Sequence, residues 1–353
     1  MSRRTLAALI AVACLAALWT AAVVMPVPYV TYKPGLSVDV LAEQNGKEIV
    51  QVSGHQAYRD NGELRMTTIY LTRPDAKLNL FDALSAWFSR DDAIYPRNAV
   101  YSDEETAEQS ETESAVQMVS SQDAATAAAL HALGYKFPTV VEVLDVTAGL
   151  PAQGKLQVRD IFLKVDGKPV KSAQDIVDVV TSAKPGDSVT FVVRRAGKLV
   201  TVSITPVPVT EKGVTHLRIG VVPGPGYVFP FSVSVNIPEQ IGGPSAGLMF
   251  SLAIFDTLTP GSLTGGKIVA GTGTIDPDGK VGPIGGIQQK IVTAQEAHAE
   301  LFLVPADNCQ DALGAPDRGM RLVKATTMES AMKSVQAWVK DPNATLPSCE
   351  DQS

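Results

Sequence analysis

Arg3 and Arg4 are followed by a stretch without charge from Thr5 to about Tyr32, apolar almost throughout between Leu6 and Val27. A helix needs about 20 apolar residues to cross a bilayer, and this segment supplies them. It therefore separates from the rest of the chain, which must fold on its own. The arginines sit before it, so the positive-inside rule places the N-terminus in the cytoplasm and everything after residue 28 outside. The alternative is a cleaved signal peptide, whose apolar core is usually about 7–15 residues. Here the run continues past Ala21 and Ala22 through Val23, Val24 and Met25, which favours an uncleaved anchor over residues 1–28. A lipid-modified Cys14 is disfavoured, because strongly apolar sequence follows it.

The remaining residues exceed one small domain. Charged residues make up 19% of the 353-residue chain and the net charge is −7, with both signs interspersed. No basic stripe accompanies aromatic residues, so nucleic acid is not an expected partner. The cysteines, at 14, 309 and 349, are too few for a disulfide framework. Only Cys309 and Cys349 lie where they could pair, and the sequence leaves that open. The four histidines (His55, His131, His216, His298) are scattered, and no metal site is expected.

From Tyr29 to about Phe88, strand-like runs alternate with turn signals. Lys47–Val52 and Glu63–Thr72 flank Asn61-Gly62, which predicts a β-hairpin. The block 102–113 holds six acidic residues and no aromatic one, and reads as a solvated surface loop. Gln122–Leu133 is alanine-rich and helical by propensity, with Gly134 as its stop. Residues 29–125 form a first α/β segment. A small β-rich unit then spans 126–208: a β-branched run at Thr139–Val146, a strand at Asp160–Val165 ending in Asp166-Gly167, an amphipathic helix over Ser172–Ser182, and a hairpin through Ala196-Gly197-Lys198. This order, with the run Gly-Lys-Leu-Gln-Val-Arg-Asp-Ile-Phe-Leu-Lys-Val-Asp-Gly-Lys-Pro-Val at 154–170, resembles a bacterial PDZ domain. The resemblance implies a groove in which a peptide adds as an extra strand, with the carboxylate loop near Leu133-Gly134-Tyr135-Lys136-Phe137. A domain serving only as spacer or gate is the competing expectation.

In the C-terminal part, 209–341, Phe229–Ile237 alternates like a strand and Gly242-Gly243-Pro244-Ser245-Ala246-Gly247 opens a helix. Glycines there allow a sharp turn and close approach of a substrate. Free N–H groups at a helix start can hold an oxyanion. Taken alone, the motif equally suits a serine that caps its helix. Lys267–Thr274 reads as a further strand. After Pro283-Ile284-Gly285-Gly286, a second helix carries Ile287, Ile291, Ala294 and Ala297 on its apolar side and Lys290 in its first full turn. The positive end of the helix dipole and partial burial would both lower the pKa of that lysine toward neutrality.

Over Phe229–Pro305 the sequence resembles the Lon family of peptidases. Gly243-Pro244-Ser245-Ala246-Gly247 is similar to that family's nucleophile segment, Gly271-Thr272-Gly273 to its central strand, and Pro283–Lys290 to the segment ending in its lysine. The resemblance implies a catalytic Ser245, Lys290 as general base, and Thr272 orienting the amine. The backbone N–H groups of Ser245 and Ala246 are the candidate oxyanion hole; Pro244 has none to give. Gln288 and Thr274 depart from the common pattern without touching these residues. Glu113-Ser114-Ala115 leading into the alanine-rich helix is similar to an early helix of the same domain, which implies that the PDZ unit is inserted within the peptidase fold. Gly261–Lys267 has the glycine and lysine spacing of a phosphate loop. Ile268, however, stands where the Mg²⁺-binding hydroxyl belongs, so no ATP and no cofactor is expected.

The expected fold is thus α+β: an N-terminal transmembrane helix, a Lon-type domain of mixed strands and helices, an inserted PDZ domain, and a tail at 342–353. The expected activity is ATP-independent endoproteolysis of loosely structured polypeptides on the extracytoplasmic side of a membrane. The resemblance further implies a hexameric ring. An α/β-hydrolase also matches Gly243-x-Ser245-x-Gly247. It is disfavoured by the irregular 238–240 stretch and by His298 being the one later histidine. A His–Asp–Ser protease would carry its PDZ domain after the serine. A C-terminal processing peptidase would place its lysine near Ala270. A catalytically silent peptide-binding scaffold is the rival from another class.

Overall fold

The computed structural model describes residues 3–44, 46–102, 105–211, 214–238, 240–316 and 319–350. Asp103, Glu104 and Glu239, which figured in the readings above, lie outside it. The apolar run forms helix Arg3–Val24, with none of its side chains buried. Its 22 residues span about 33 Å at 1.5 Å per residue, and it is long and apolar enough to cross a membrane.

A six-stranded mixed sheet organises the body, in the order Arg321–Ala325, Leu301–Pro305, Ile268–Gly271, Glu63–Leu71, Tyr29–Asp39 and Ala93–Pro96. The first four strands run parallel and the last two join antiparallel. Successive side chains of a strand point to opposite faces, and here each face meets its own core. Val269, Leu301 and Leu303 pack with helices Ala107–Ala132, Gly247–Leu258 and Met328–Lys340. Ala270, Phe302 and Val304 pack with helix Ile287–Glu296 on the other side. Burial on both faces explains why Leu301–Pro305 is an unbroken apolar run rather than an alternating one.

Three of the six strands precede residue 100 and three follow residue 267, so the PDZ unit is an insertion within one peptidase fold. Its sheet runs Lys198–Ile204, Val189–Arg195, Ile161–Val165, Thr139–Val146, Val221–Tyr227, around a separate core that includes Phe162, Ile176 and Phe191. The last strand lies beyond the Pro208 limit read from sequence. Val221–Tyr227 pairs antiparallel along Thr139–Val146, although its Val-Val-Pro-Gly-Pro-Gly-Tyr sequence has poor strand propensity.

Two local expectations are corrected. Asn61-Gly62 does not close a hairpin: Val50–Ser53 pairs with Ser232–Val235, while Glu63–Leu71 lies between two other strands. Gly62 instead takes a φ of 114° where any β-carbon would collide with the Thr264 hydroxyl. The acidic block is also not all loop. Thr106 and Gln109 form a reciprocal cap, and the helix runs from Ala107 to Ala132, with Arg73 pairing Glu111 at 2.7 Å. Gly134 ends it with a φ of 84°, as expected.

Cys309 and Cys349 form a disulfide 40 residues apart in sequence. It holds the segment after helix Met328–Lys340 against the core, where Lys324 N–H donates to Pro347 O (2.9 Å). Closing a loop of that length restricts the unfolded chain by about 4 kcal/mol in the chain-entropy model. Replacing both cysteines by serine is therefore expected to lower the melting temperature by several degrees, read by calorimetry. An unchanged melting temperature would mean the tail is held without the bridge.

Candidate active site

The serine turn is fixed by a helix more than a hundred residues earlier. Gly243, with a φ of 84°, donates its N–H to Ser114 O (3.0 Å). Ser121 Oγ donates to Pro244 O (3.1 Å). Gly242 and Gly247 are spacing devices. A β-carbon on Gly242 would lie 2.8 Å from Ser114 Cβ, and one on Gly247 would lie 2.7 Å from Ile275 Cγ2. The helix itself starts at Gly247, with Ala246 as its N-cap, so Ser245 stands just ahead of the helix rather than in its first turn. Among the described residues, neither the Ser245 nor the Ala246 N–H donates to a protein acceptor.

Thr272 follows the central strand Ile268–Gly271 directly and is fully buried. Its Oγ1 donates to Ser245 O (2.9 Å). Gly273 N–H donates to the same carbonyl (2.8 Å), tying the serine turn to the end of the sheet.

Lys290 comes from the opposite layer. Gly286, in the left-handed region at a φ of 69°, starts its helix. The lysine is 2% exposed, and its Nζ lies 2.6 Å from Ser245 Oγ and 3.0 Å from Thr272 Oγ1. Among the described residues no carboxylate pairs with it. Loss of hydration disfavours the ammonium form and lowers its pKa to about 7. Thus the three side chains proposed from sequence meet at one point, around the end of the central strand. An amine with a pKa near neutrality, hydrogen-bonded to a serine hydroxyl, has the geometry to accept that hydroxyl's proton.

Gln288, the departure beside the lysine, donates to Asp311 O (3.0 Å) and is turned away from this point. Lys267, the residue of the phosphate-loop-like spacing, stacks its Nζ 4.0 Å over the Trp338 ring. In the sequence Ser114 figured only within Glu113-Ser114-Ala115 and Ser121 not at all, and neither was read as a support of the serine turn. Each is a small polar residue in a helix rich in alanine and serine, and no local pattern marks its partner.

The PDZ unit presents a different edge from the one expected. Leu133–Phe137 packs into the joint with the peptidase body: Phe137 stacks on His131 and meets Phe229, and Tyr135 meets Phe231. The end strand of the sheet is Val221–Tyr227, beside helix Ala173–Ser182, and among the described residues nothing pairs with its outer side. The N–H and C=O of Val143 both bond to residues 159 and 160. Pro223, opposite Val143, and Pro225, two residues on, therefore face the open side. Neither can donate a hydrogen bond there.

A sheet built from both ends of the chain, an inserted β-rich unit, and a half-buried serine meeting a buried threonine and lysine define a Lon-type proteolytic fold with a PDZ insertion. Residues 232–337 match the family model of the Lon protease (S16) C-terminal proteolytic domain, and residues 108–205 match that of the PDZ domain. The chain is 34% identical over 107 residues to a Lon protease of Azospirillum brasilense, covering 29% of this chain and 13% of that protein. It is 28% identical over 158 residues to a Lon protease of Metamycoplasma arthritidis, covering 38% and 19%. The matched stretches thus span less than a fifth of these relatives. The PDZ domain of an SdrC-like protein from Listeria innocua aligns at 31% identity with a TM-score of 0.22, over 24% of this chain and 92% of that domain. The chain carries a PDZ domain and a Lon-type proteolytic domain.

Proposed function

We propose that the protein is a membrane-anchored serine endopeptidase that cleaves loosely structured polypeptides without ATP, using Ser245 as nucleophile and Lys290 as base. The observation that carries this reading is the 2.6 Å approach of Nζ to Oγ by a fully desolvated lysine. In its neutral form the amine accepts the Ser245 proton as Oγ attacks a peptide carbonyl. The resulting ammonium then protonates the leaving amine, and water hydrolyses the acyl-enzyme with the amine again as base. Thr272 Oγ1 accepts an N–H from Lys290 and keeps the single lone pair of the neutral amine aimed at Ser245. The free N–H groups of Ser245 and Ala246 are the oxyanion donors.

A peptide at the PDZ sheet adds along Val221–Tyr227. The two prolines leave only carbonyl acceptors at positions 223 and 225, so recognition concentrates at the Val221 end. Helix Arg3–Val24 anchors the molecule, with the catalytic and PDZ domains on the extracytoplasmic face; the Cys309–Cys349 bridge suits such an oxidising compartment. A hexameric ring is part of the same reading, drawn from the Lon resemblance.

The test is cleavage of casein by the full chain in detergent, without nucleotide. Wild type is expected to cleave and Ser245→Ala to lose activity by about 10³-fold or more. Equal cleavage by both would remove Ser245 from the chemistry. A serine-directed acylating probe that labels neither protein would favour the silent scaffold.

A further inference from the structure

Helix Leu80–Phe88 is built inside out for a protein in water. Its small residues Ala83 and Ala86 are buried, while Leu80, Phe81, Leu84, Trp87 and Phe88 are exposed, the last two at 71% and 81%. The i, i+1, i+4, i+7, i+8 spacing puts all five on one helical face. A soluble surface would present the reverse arrangement, because leaving such side chains in water forfeits burial of their apolar area.

The position of the helix identifies what covers it. Pro26–Val27, just after helix Arg3–Val24, pairs with Leu78–Asn79, just before helix Leu80–Phe88. The two helices are thereby clamped together, and the Phe81 ring lies 5.6 Å from that of Trp19. Trp19 is five residues short of the end of the apolar helix, or about 7–8 Å along its axis. Phe81 therefore reaches the depth at which tryptophan belts lie in membranes. Interfacial helices typically bury their apolar face about 5–10 Å below the headgroups.

We infer that Leu80–Phe88 is a second membrane contact. It is an interfacial helix whose Leu84, Trp87 and Phe88 lie among the acyl chains of the extracytoplasmic leaflet, beside the exit of the anchor. This rests on the reading of Arg3–Val24 as a membrane span. The occupant is lipid rather than a protein partner, because the apolar face continues directly from the anchor, through the Trp19–Phe81 contact. The consequence is orientation. One helix alone would let the catalytic body swing, and two contacts hold it against the bilayer surface.

The experiment uses the full chain in vesicles of phosphatidylcholine and phosphatidylglycerol, with an environment-sensitive fluorophore attached at cysteine. Cys309 and Cys349 are paired, so the exposed Cys14 is the one free thiol. A label on native Cys14 reports the anchor. A label on Trp87→Cys in a Cys14→Ser background reports the helix, and the exposure of Trp87 makes the substitution harmless to packing. Lipids carrying a nitroxide near the headgroup or deep in the chain serve as quenchers. The expected result is loss of most of the position-87 fluorescence to the shallow quencher with little to the deep one, and the opposite for Cys14.

Quenching at Cys14 with none at position 87 overturns the inference and leaves the anchor standing. A position-87 label that is shielded from water yet unquenched by lipid also overturns it, in favour of a protein partner or a second copy of the chain. No quenching at either position removes the membrane reading, and this inference with it.

Discussion

Lys290→Met is expected to abolish peptidase activity and, at neutral pH, to make the protein harder to unfold. Both effects come from the same burial. As a base, the lysine must be neutral, so kcat/KM of the wild type should rise about tenfold per pH unit below the pKa and level off above about 7. Removing the amine should cost on the order of 10³-fold in kcat. For stability, the folded pKa is lowered from 10.5 to about 7. The unfolded chain therefore binds a proton that the folded one resists, and stability falls as pH drops from about 10.5 toward 7, then stays level.

At about 1.4 kcal/mol per unit, the shift corresponds to on the order of 4 kcal/mol at pH 7. Methionine fills the same channel without a charge to desolvate. It loses the bonds to Ser245 and Thr272, at a cost of about 1 kcal/mol each, while Thr272 keeps its bond to Ser245 O. A net gain of about 2 kcal/mol remains at pH 7, vanishes near pH 9 and turns into a net loss of about 2 kcal/mol by pH 11. Thermal melts across that range check it. A wild-type activity plateau reached only near pH 10, or a variant no more stable at pH 7 than at pH 11, would show that the lysine is hydrated and charged.

What could be read from sequence follows the range over which each feature is encoded. Ser245 and Lys290 were legible because each sits in a short motif that fixes its own backbone: a glycine-flanked turn, and a Gly286 that must take a left-handed φ. Thr272 was legible only through the similarity of Gly271-Thr272-Gly273 to the central strand of the Lon family. The supports of the serine were not, since Ser121 reaches Pro244 across 123 positions and its contribution is a hydroxyl in an otherwise solvent-facing pattern. The strand Val221–Tyr227 was hidden by two prolines and two glycines. It is held by its partner's ladder and by close fit: a β-carbon on Gly226 would lie 2.3 Å from Glu142 Cδ. The first turns of helix Ala107–Ala132 were masked by acidic residues that propensity alone does not forbid. There the cap at Thr106 and the packing of Met118 decide the outcome.

The same Gly226 makes room for the second large effect. Glu142 of the PDZ unit is 3% exposed and faces Asp123 of the preceding helix, which is equally buried. Arg159 lies beside them, pairing with Asp123 and donating to Gln122 Oε1 (3.2 Å). It is held there with a φ of 71°, unusual for a side-chain-bearing residue. Burial first, and then the hydrogen bond and charge of Asp123, push the Glu142 pKa up to about 9, against the opposing pull of Arg159. Tyr227 is the other titratable group facing this pair, its own pKa raised by burial and by the same carboxylates.

Two substitutions at this joint should therefore behave in opposite ways. Arg159→Met leaves two buried carboxyl groups without their cation and is expected to cost about 2–4 kcal/mol. The lower end is favoured because Arg159 is itself partly exposed. Glu142→Gln mimics the protonated carboxyl of the folded state; it should be nearly neutral only at about pH 4.5 and below, and increasingly stabilising relative to the wild type as pH rises. The sign with pH follows from the raised pKa: the stabilising state is the protonated one, complete below about 4.5 and lost as pH rises through about 9. The wild type should thus lose stability across that window relative to Glu142→Gln, so that the glutamine variant is the more stable of the two at pH 9. Lys290 contributes the opposite slope above pH 7. For that reason the comparison is made as a difference between variant and wild type in chemical denaturation, in which the lysine term cancels. A difference that does not change between pH 5 and pH 9 would mean that Glu142 is ionised throughout, and that Arg159 neutralises both carboxylates at the joint between PDZ and peptidase.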